Sequence, residues 1–123
     1  MSKPLLFPHG FPHRGEIYQV DFKKTGKGKE ITKKRPALVV SNNLQNEHGD
    51  YIIVAPLTSR NIAKIRLFEL LVENSGLAKP SKVLLNQIRS IDKEERIIEY
   101  LGQVEVGIVS EMEKRLKLVL ALE

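Results

Sequence analysis

Apolar and polar positions divide the chain into short runs, and most of them have the length of a strand. Residues 16–22 (E-I-Y-Q-V-D-F) place Ile17, Val20 and two aromatics where a strand would use them, with imperfect alternation. Residues 36–41 (P-A-L-V-V-S) form a continuous apolar run closed by Asn42-Asn43, the pattern of a strand buried on both faces. Residues 51–55 (Y-I-I-V-A) form another, with Gly49-Asp50 as the turn before it and Pro56 expected to end it or hold it at an edge. Residues 67–73 (L-F-E-L-L-V-E) and the N-S-G after them read as a strand and its turn. Residues 82–88 read as a further strand with Asn86 and Gln87 at its end, 91–96 as a helical turn, and 97–104 as a last strand. From Val106 the period changes. Ile108, Met112, Leu116, Val119 and Leu120 recur at spacings of three and four, which predicts an amphipathic helix. Ser110 and Glu113 have capping-box spacing, but a helix starting there would discard Ile108, so Ser110 is read as interior and exposed. Several short strands and one helix predict an α+β domain with a small, strongly bent sheet or open barrel.

Residues 1–13 differ. Pro4, Pro8 and Pro12 disfavour helix at their own and the preceding positions, so this stretch is read as an extended arm before a domain starting near Arg14. The prolines also make it neither a signal-peptide core nor a transit helix. No apolar run approaches the roughly 20 residues of a membrane span. Cysteine is absent from the 123 residues, which excludes disulfides, thiolate nucleophiles and cysteine metal sites. The cytoplasm is the expected location. The net charge of +5 is unevenly spread: residues 23–35 hold seven basic residues and one acid, and the rest of the chain is close to neutral. Such a segment is either a solvated loop or a patch that attracts a polyanion, nucleic acid first among them.

The residue inventory excludes several chemistries. There is no phosphate-loop or nucleophile-elbow motif. The histidines are His9, His13 and His48. Pro12 keeps His9 and His13 off a regular helix, and no carboxylate stands at metal-ligand spacing, so neither metal nor cofactor is expected. Arg35, pinned by Pro36 where the cationic segment meets a buried strand, is a planar, permanent cation that matches a phosphate in two-point geometry. A surface carboxylate is its alternative partner. Thr58 and Ser59, after Pro56, offer hydroxyls to a phosphate or simply form a turn. Asn86 and Gln87 offer amides to base edges or to turn backbone. Glu30, the one acid of the basic segment, suits a general base or a charge that orders the lysines.

Taken in order, these stretches resemble the MazF/PemK toxins of bacterial toxin–antitoxin systems. The likeness rests on R-G-E-I-Y-Q-V-D-F (14–22), G-K-E, K-R-P-A-L-V-V-S-N (34–42), V-A-P-L-T-S (54–59), V-L-L-N-Q-I-R-S-I-D-K (83–93) and the C-terminal helix, and it covers about residues 14–122. The resemblance implies an SH3-like barrel with one C-terminal helix, a homodimer, and a metal-independent, sequence-specific endoribonuclease that cuts single-stranded mRNA. In that chemistry the 2′-hydroxyl attacks the adjacent phosphate, leaving a 2′,3′-cyclic phosphate and a 5′-hydroxyl. A cognate antitoxin covers the RNA groove.

Carried over by position, the resemblance implies that Arg35 binds the scissile phosphate, that Thr58 contacts it, that Glu30 falls on the loop acid some members use, and that Asn86 and Gln87 fall near the bases. Lys27, Lys29, Lys33 and Lys34 would follow the RNA backbone and make binding salt-dependent. Leu84 and Asn86 stand where the PemK-like branch has an arginine and an aspartate, so the chain follows the MazF pattern. The alternatives from other classes are a non-catalytic RNA-binding module and a gyrase-directed toxin on a similar fold.

Overall fold

The computed structural model describes residues 6–22 and 33–123. Seven strands, β1 (Glu16–Asp21), β2 (Lys34–Val39), β3 (Tyr51–Thr58), β4 (Glu69–Val72), β5 (Ser81–Leu84), β6 (Arg89–Asp92) and β7 (Ile97–Gln103), form one antiparallel sheet. Its order is β4-β5-β3-β2-β1-β7, and β6 pairs with the half of β3 that β5 leaves open. Three helices accompany it: α1 (Asn43–His48), α2 (Lys93–Arg96) and α3 (Val106–Val119).

The continuous apolar runs arise because both faces of the central strands are covered. Ile17, Leu38, Val40, Ala55 and Leu57 point to one face, where Met112 of α3 is fully buried among them and Ile108, Leu116 and Val119 pack around it. Tyr18, Val20, Ala37, Val39, Ile52 and Val54 point to the other, where Ile91 of β6 and Ile97 of β7 join them. Those two residues come from strands on opposite sides of β1–β2–β3, so the sheet curls around this second core. The curl does not close: among the described strands no ladder joins β4 to β7, so the sheet is the open, bent one read from the residues, and the SH3-like barrel implied by the resemblance is not confirmed.

Other expectations are corrected by pairing. β3 continues through Pro56 to Thr58. The proline, which has no N–H to donate, stands between the end of the β6 ladder at Val54 and the start of the β5 ladder at Leu57. β5 stops at Leu84, and Leu85–Gln87 forms a 3₁₀ turn whose Leu85 N–H donates to Phe68 O at 3.1 Å, so Asn86 and Gln87 lie on a turn and not on a strand. β4 begins only at Glu69. α1 has no apolar period to announce it. Its cap does the work instead: Asn42 accepts from the Gln45 N–H, and the buried Asn46 amide donates to Ser41 O. α3 starts at Val106 as read from the sequence, with Ser110 exposed and Glu113 paired to Arg14, but it ends before Leu120, which is about half exposed.

Residues 6–13 are not an extended arm. Gly10, at φ +90°, turns the chain, its N–H donates to Phe7 O at 3.0 Å, and Leu6 and Phe7 pack against the second core. The Phe7 ring meets Tyr18 edge-on. Among the described residues no helix is long and apolar enough to cross a membrane.

Candidate nucleic-acid interface and active site

The β2–β3 and β3–β5 ladders gather the cationic residues at one end of the sheet. The β2–β3 ladder ends at the Ala37–Pro56 pair, and Arg35 and Thr58 each stand two residues beyond it on their own strands. On its other side Thr58 lies opposite Lys82. Residues opposite each other in antiparallel strands share a face. Arg35, Thr58 and Lys82 accordingly line one cleft of about 480 Å³, completed by Arg60, Lys64, Arg66 and Glu69 from the β3–β4 connection and the start of β4. Five basic side chains and one acid line it.

That one acid is committed to structure. Glu69 and Lys82 are both nearly fully buried and meet at 2.9 Å. Glu69 Oε1 also accepts the Arg66 N–H at 2.9 Å, and the Lys82 ammonium also donates to Lys64 O at 3.1 Å. Burial alone would raise the Glu69 carboxyl. The Arg66 N–H and the Lys82 ammonium outweigh it and hold the group below its usual value, as a carboxylate. From the far side, Arg115 of α3 donates to Leu67 O at 3.0 Å and Glu69 O at 2.9 Å. The pair and Arg115 therefore fix the wall that carries Arg60, Lys64 and Arg66.

With Glu69 and Lys82 matched, the remaining cations give the cleft its charge. Arg35 is half-buried and has no carboxylate partner among the described residues. Thr58 Oγ1 accepts the Arg60 N–H at 3.2 Å, which leaves its own hydroxyl hydrogen to be donated into the cleft. A group with several anionic oxygens fits this arrangement: a fork-shaped cation, a hydroxyl donor, and flanking basic residues over a low-dielectric floor.

The structure brings together Arg35 and Thr58 of the residues expected from sequence, and places others apart from them. Ser59 is exposed beside Thr58 and does not line the cleft. Lys33 and Lys34 are exposed at the base of β2. Asn86 is exposed and Gln87 half-buried on the 3₁₀ turn, which packs against α3, β3 and β4, and Gln87 Oε1 is buried without a partner among the described residues. Glu30, Lys27 and Lys29 lie outside the described residues. Sequence reasoning missed Lys82, Glu69, Lys64 and Arg66. A signal was present for two of them: Glu69 in L-F-E-L-L-V and Lys82 in K-V-L-L are the lone charges of otherwise apolar stretches, the mark of a buried pair. The metal inventory also needs correction. Glu16 stands three residues after His13, a spacing passed over in the sequence, and the turn at Gly10 brings His9 to both.

The family profile described as "PemK-like, MazF-like toxin of type II toxin-antitoxin system" matches residues 13–120. Endoribonuclease MazF9 of Mycobacterium tuberculosis is 39% identical over 116 residues, covering 89% of this chain and 96% of that protein. Endoribonuclease EndoA of Bacillus subtilis is 31% identical over 112 residues, covering 89% and 94%. Among solved structures, an endoribonuclease in complex with its cognate antitoxin, from a mycobacterial species, superposes with a TM-score of 0.72 at 25% identity, covering 91% of this chain and 97% of that one. With nearly the whole chain matched and the cleft residues Arg35 and Thr58 inside the matched span, the protein belongs to the PemK-like, MazF-like toxin family of type II toxin–antitoxin systems.

Proposed function

We propose that the cationic cleft is the RNA-cleaving site of this endoribonuclease toxin, and that it cuts single-stranded mRNA at a preferred sequence without a metal ion. The observation that carries the reading is the convergence of Arg35 and Thr58 in one cleft where the acid among the described residues, Glu69, is already neutralised by Lys82. In the reaction the 2′-oxygen forms a bond to the adjacent phosphorus as its proton leaves. The bond from phosphorus to the 5′-oxygen breaks, and that oxygen takes a proton. The products are a 2′,3′-cyclic phosphate and a 5′-hydroxyl. No protein nucleophile is required: the enzyme holds the backbone in line, moves two protons and stabilises charge on the phosphorane-like transition state.

Arg35 supplies the charge stabilisation; its permanent protonation makes it a poor proton donor. Thr58 orients the phosphate. Glu69 is a weak candidate for the base, since one of its oxygens already accepts two donors and its proton affinity is low. Glu30 remains the proposed base. Arg60, Lys64 and Arg66 hold flanking phosphates, with Lys27, Lys29, Lys33 and Lys34 extending the track and Ser59, Asn86 and Gln87 serving bound nucleotides. The protein acts in the cytoplasm as a homodimer, and a cognate antitoxin inhibits it by occupying the cleft with a segment that competes for the same cations.

The test is incubation with a long single-stranded RNA in excess EDTA, followed by mapping of fragment ends. Discrete cuts ending in cyclic phosphate are expected. Folded, antitoxin-free protein that leaves the RNA intact would overturn the reading in favour of a binding module.

A further inference from the structure

We propose that His9, His13 and Glu16 form a binding site for a divalent transition-metal ion of the zinc class. One ligand atom from each lies within 4.8 Å of the other two. The site is at the start of β1, where Glu16 pairs with Gln103 of β7; Arg35 pairs with Val20, four residues further along β1. At the usual strand rise that is about 13 Å away. The ion would therefore be structural, outside the RNA chemistry.

Four observations carry the assignment. First, the Glu16 carboxylate is 1% exposed, and among the described residues its ion-pair partners are two histidines, with no lysine or arginine. A buried carboxylate without a permanent cation is the group a metal ion compensates. Arg14 lines the same cavity, but its guanidinium is engaged by Val40 O and Glu113. Second, the carboxylate is oriented: Oε1 accepts the His13 N–H at 2.6 Å and the Tyr18 hydroxyl at 2.9 Å, which leaves Oε2 facing His9 Nδ1 at 2.5 Å. Third, the His13 ring is fixed. It stacks on Phe11 with centroids 4.1 Å apart, and its Nδ1 bonds to Phe11 O at 2.9 Å, so the other ring nitrogen carries the free lone pair. Outer partners of this kind hold metal-ligating histidines and carboxylates in place. Fourth, the three residues line a cavity of about 350 Å³, and His9 is about half exposed, which provides an entry path.

Two imidazoles and one carboxylate select zinc, cobalt or nickel over magnesium or calcium, and leave a coordination position for water. Donors about 2.0–2.2 Å from a tetrahedral zinc stand roughly 3.3 Å apart, so His9 Nδ1 must draw back from Glu16 Oε2, now 2.5 Å away, to admit the ion, which the half-exposed His9 side chain can do by rotating. The proton shared between His9 and Glu16 is released to solvent. Bound metal would staple residues 9–13 to β1 and, through them, hold Leu6 and Phe7 on the second core.

The test is titration of the metal-stripped full chain with Zn²⁺ by calorimetry, with Co²⁺ absorption as a report of coordination. The comparison proteins are His9→Ala, His13→Ala, the double variant and His48→Ala, whose histidine stands outside the cluster. We expect one zinc per chain, a rise in thermal midpoint on binding, a loss of affinity of at least about tenfold in either single variant and about a hundredfold in the double, and no change in His48→Ala. Folded wild-type protein that takes up no Zn²⁺ at tens of micromolar would overturn the proposal. So would a double variant that binds as wild type does. Neither result depends on RNA cleavage.

Discussion

Among the described residues two glutamates are buried, and they are balanced in opposite ways. Glu69 meets an ammonium, Lys82, and its one engaged oxygen also takes a backbone N–H. Glu16 meets a phenol, a backbone N–H and two histidines. The first arrangement cancels charge locally, so the floor of the cleft is neutral and Arg35, Arg60, Lys64 and Arg66 remain available for an anion. The second solvates a carboxylate without a permanent cation and keeps an oxygen directed at an imidazole. The same residue type thus builds a platform for anion binding at one end of β1–β2 and a cation-seeking cluster at the other.

Breaking the ammonium partnership gives the largest expected effect. Lys82→Met strands a buried carboxylate and should cost about 3–5 kcal/mol in denaturant unfolding, whereas Glu69→Leu combined with Lys82→Met should recover most of the loss. A double variant as unstable as the single one would show that the pair does more than neutralise itself. Thr58→Val removes the hydroxyl donor while keeping the strand, and should lower single-turnover RNA cleavage about tenfold to a hundredfold with unfolding unchanged. Tyr18→Phe deletes one donor to Glu16 and should cost about 1–3 kcal/mol.

The two regions should also fail at opposite pH extremes. Glu69 is held below its usual value of 4.5, so the folded state keeps it ionised while the unfolded chain takes up a proton; its contribution is present above pH 4.5 and lost as pH falls through the lowered value. Burial, followed by the hydrogen bond to Glu16, raises the Tyr18 hydroxyl above its usual 10.0. The unfolded chain then ionises first, so that contribution is present below pH 10 and lost as pH rises beyond it. Stability measured against pH should therefore lose its acid-side decline in the Glu69→Leu/Lys82→Met variant and its alkaline decline in Tyr18→Phe. An alkaline decline surviving in Tyr18→Phe would assign it to another group.

Most strands were legible because their apolar runs have strand length and clear turn residues between them, and α3 because its apolar face keeps a helical period. What the sequence hid was decided by pairing. Nothing local shows that Pro56 falls between two ladders, that Leu85 leaves the sheet to donate to Phe68 O, or that the sheet curls without closing. α1 was invisible because its stability rests on Asn42 and Asn46 and not on an apolar stripe. Arg35 and Thr58 could be singled out because each stands at the end of an apolar run next to or near a proline. Lys64 and Arg66 could not, since their place in the cleft depends on a wall fixed by Glu69 and Arg115 across the fold. His13 and Glu16 stand three apart and could have been paired from sequence, whereas the approach of His9 was hidden by the turn at Gly10.

The most direct measurement is single-turnover cleavage of one single-stranded RNA by wild type, Arg35→Lys and Arg35→Ala, with folding confirmed for each. The account predicts that Arg35→Ala loses about a hundredfold to a thousandfold in rate, as expected for removal of a transition-state charge stabiliser. Arg35→Lys should fall between, since it keeps the charge without the two-point geometry. Cleavage by Arg35→Ala at the wild-type rate would contradict the assignment of the cleft as the catalytic site.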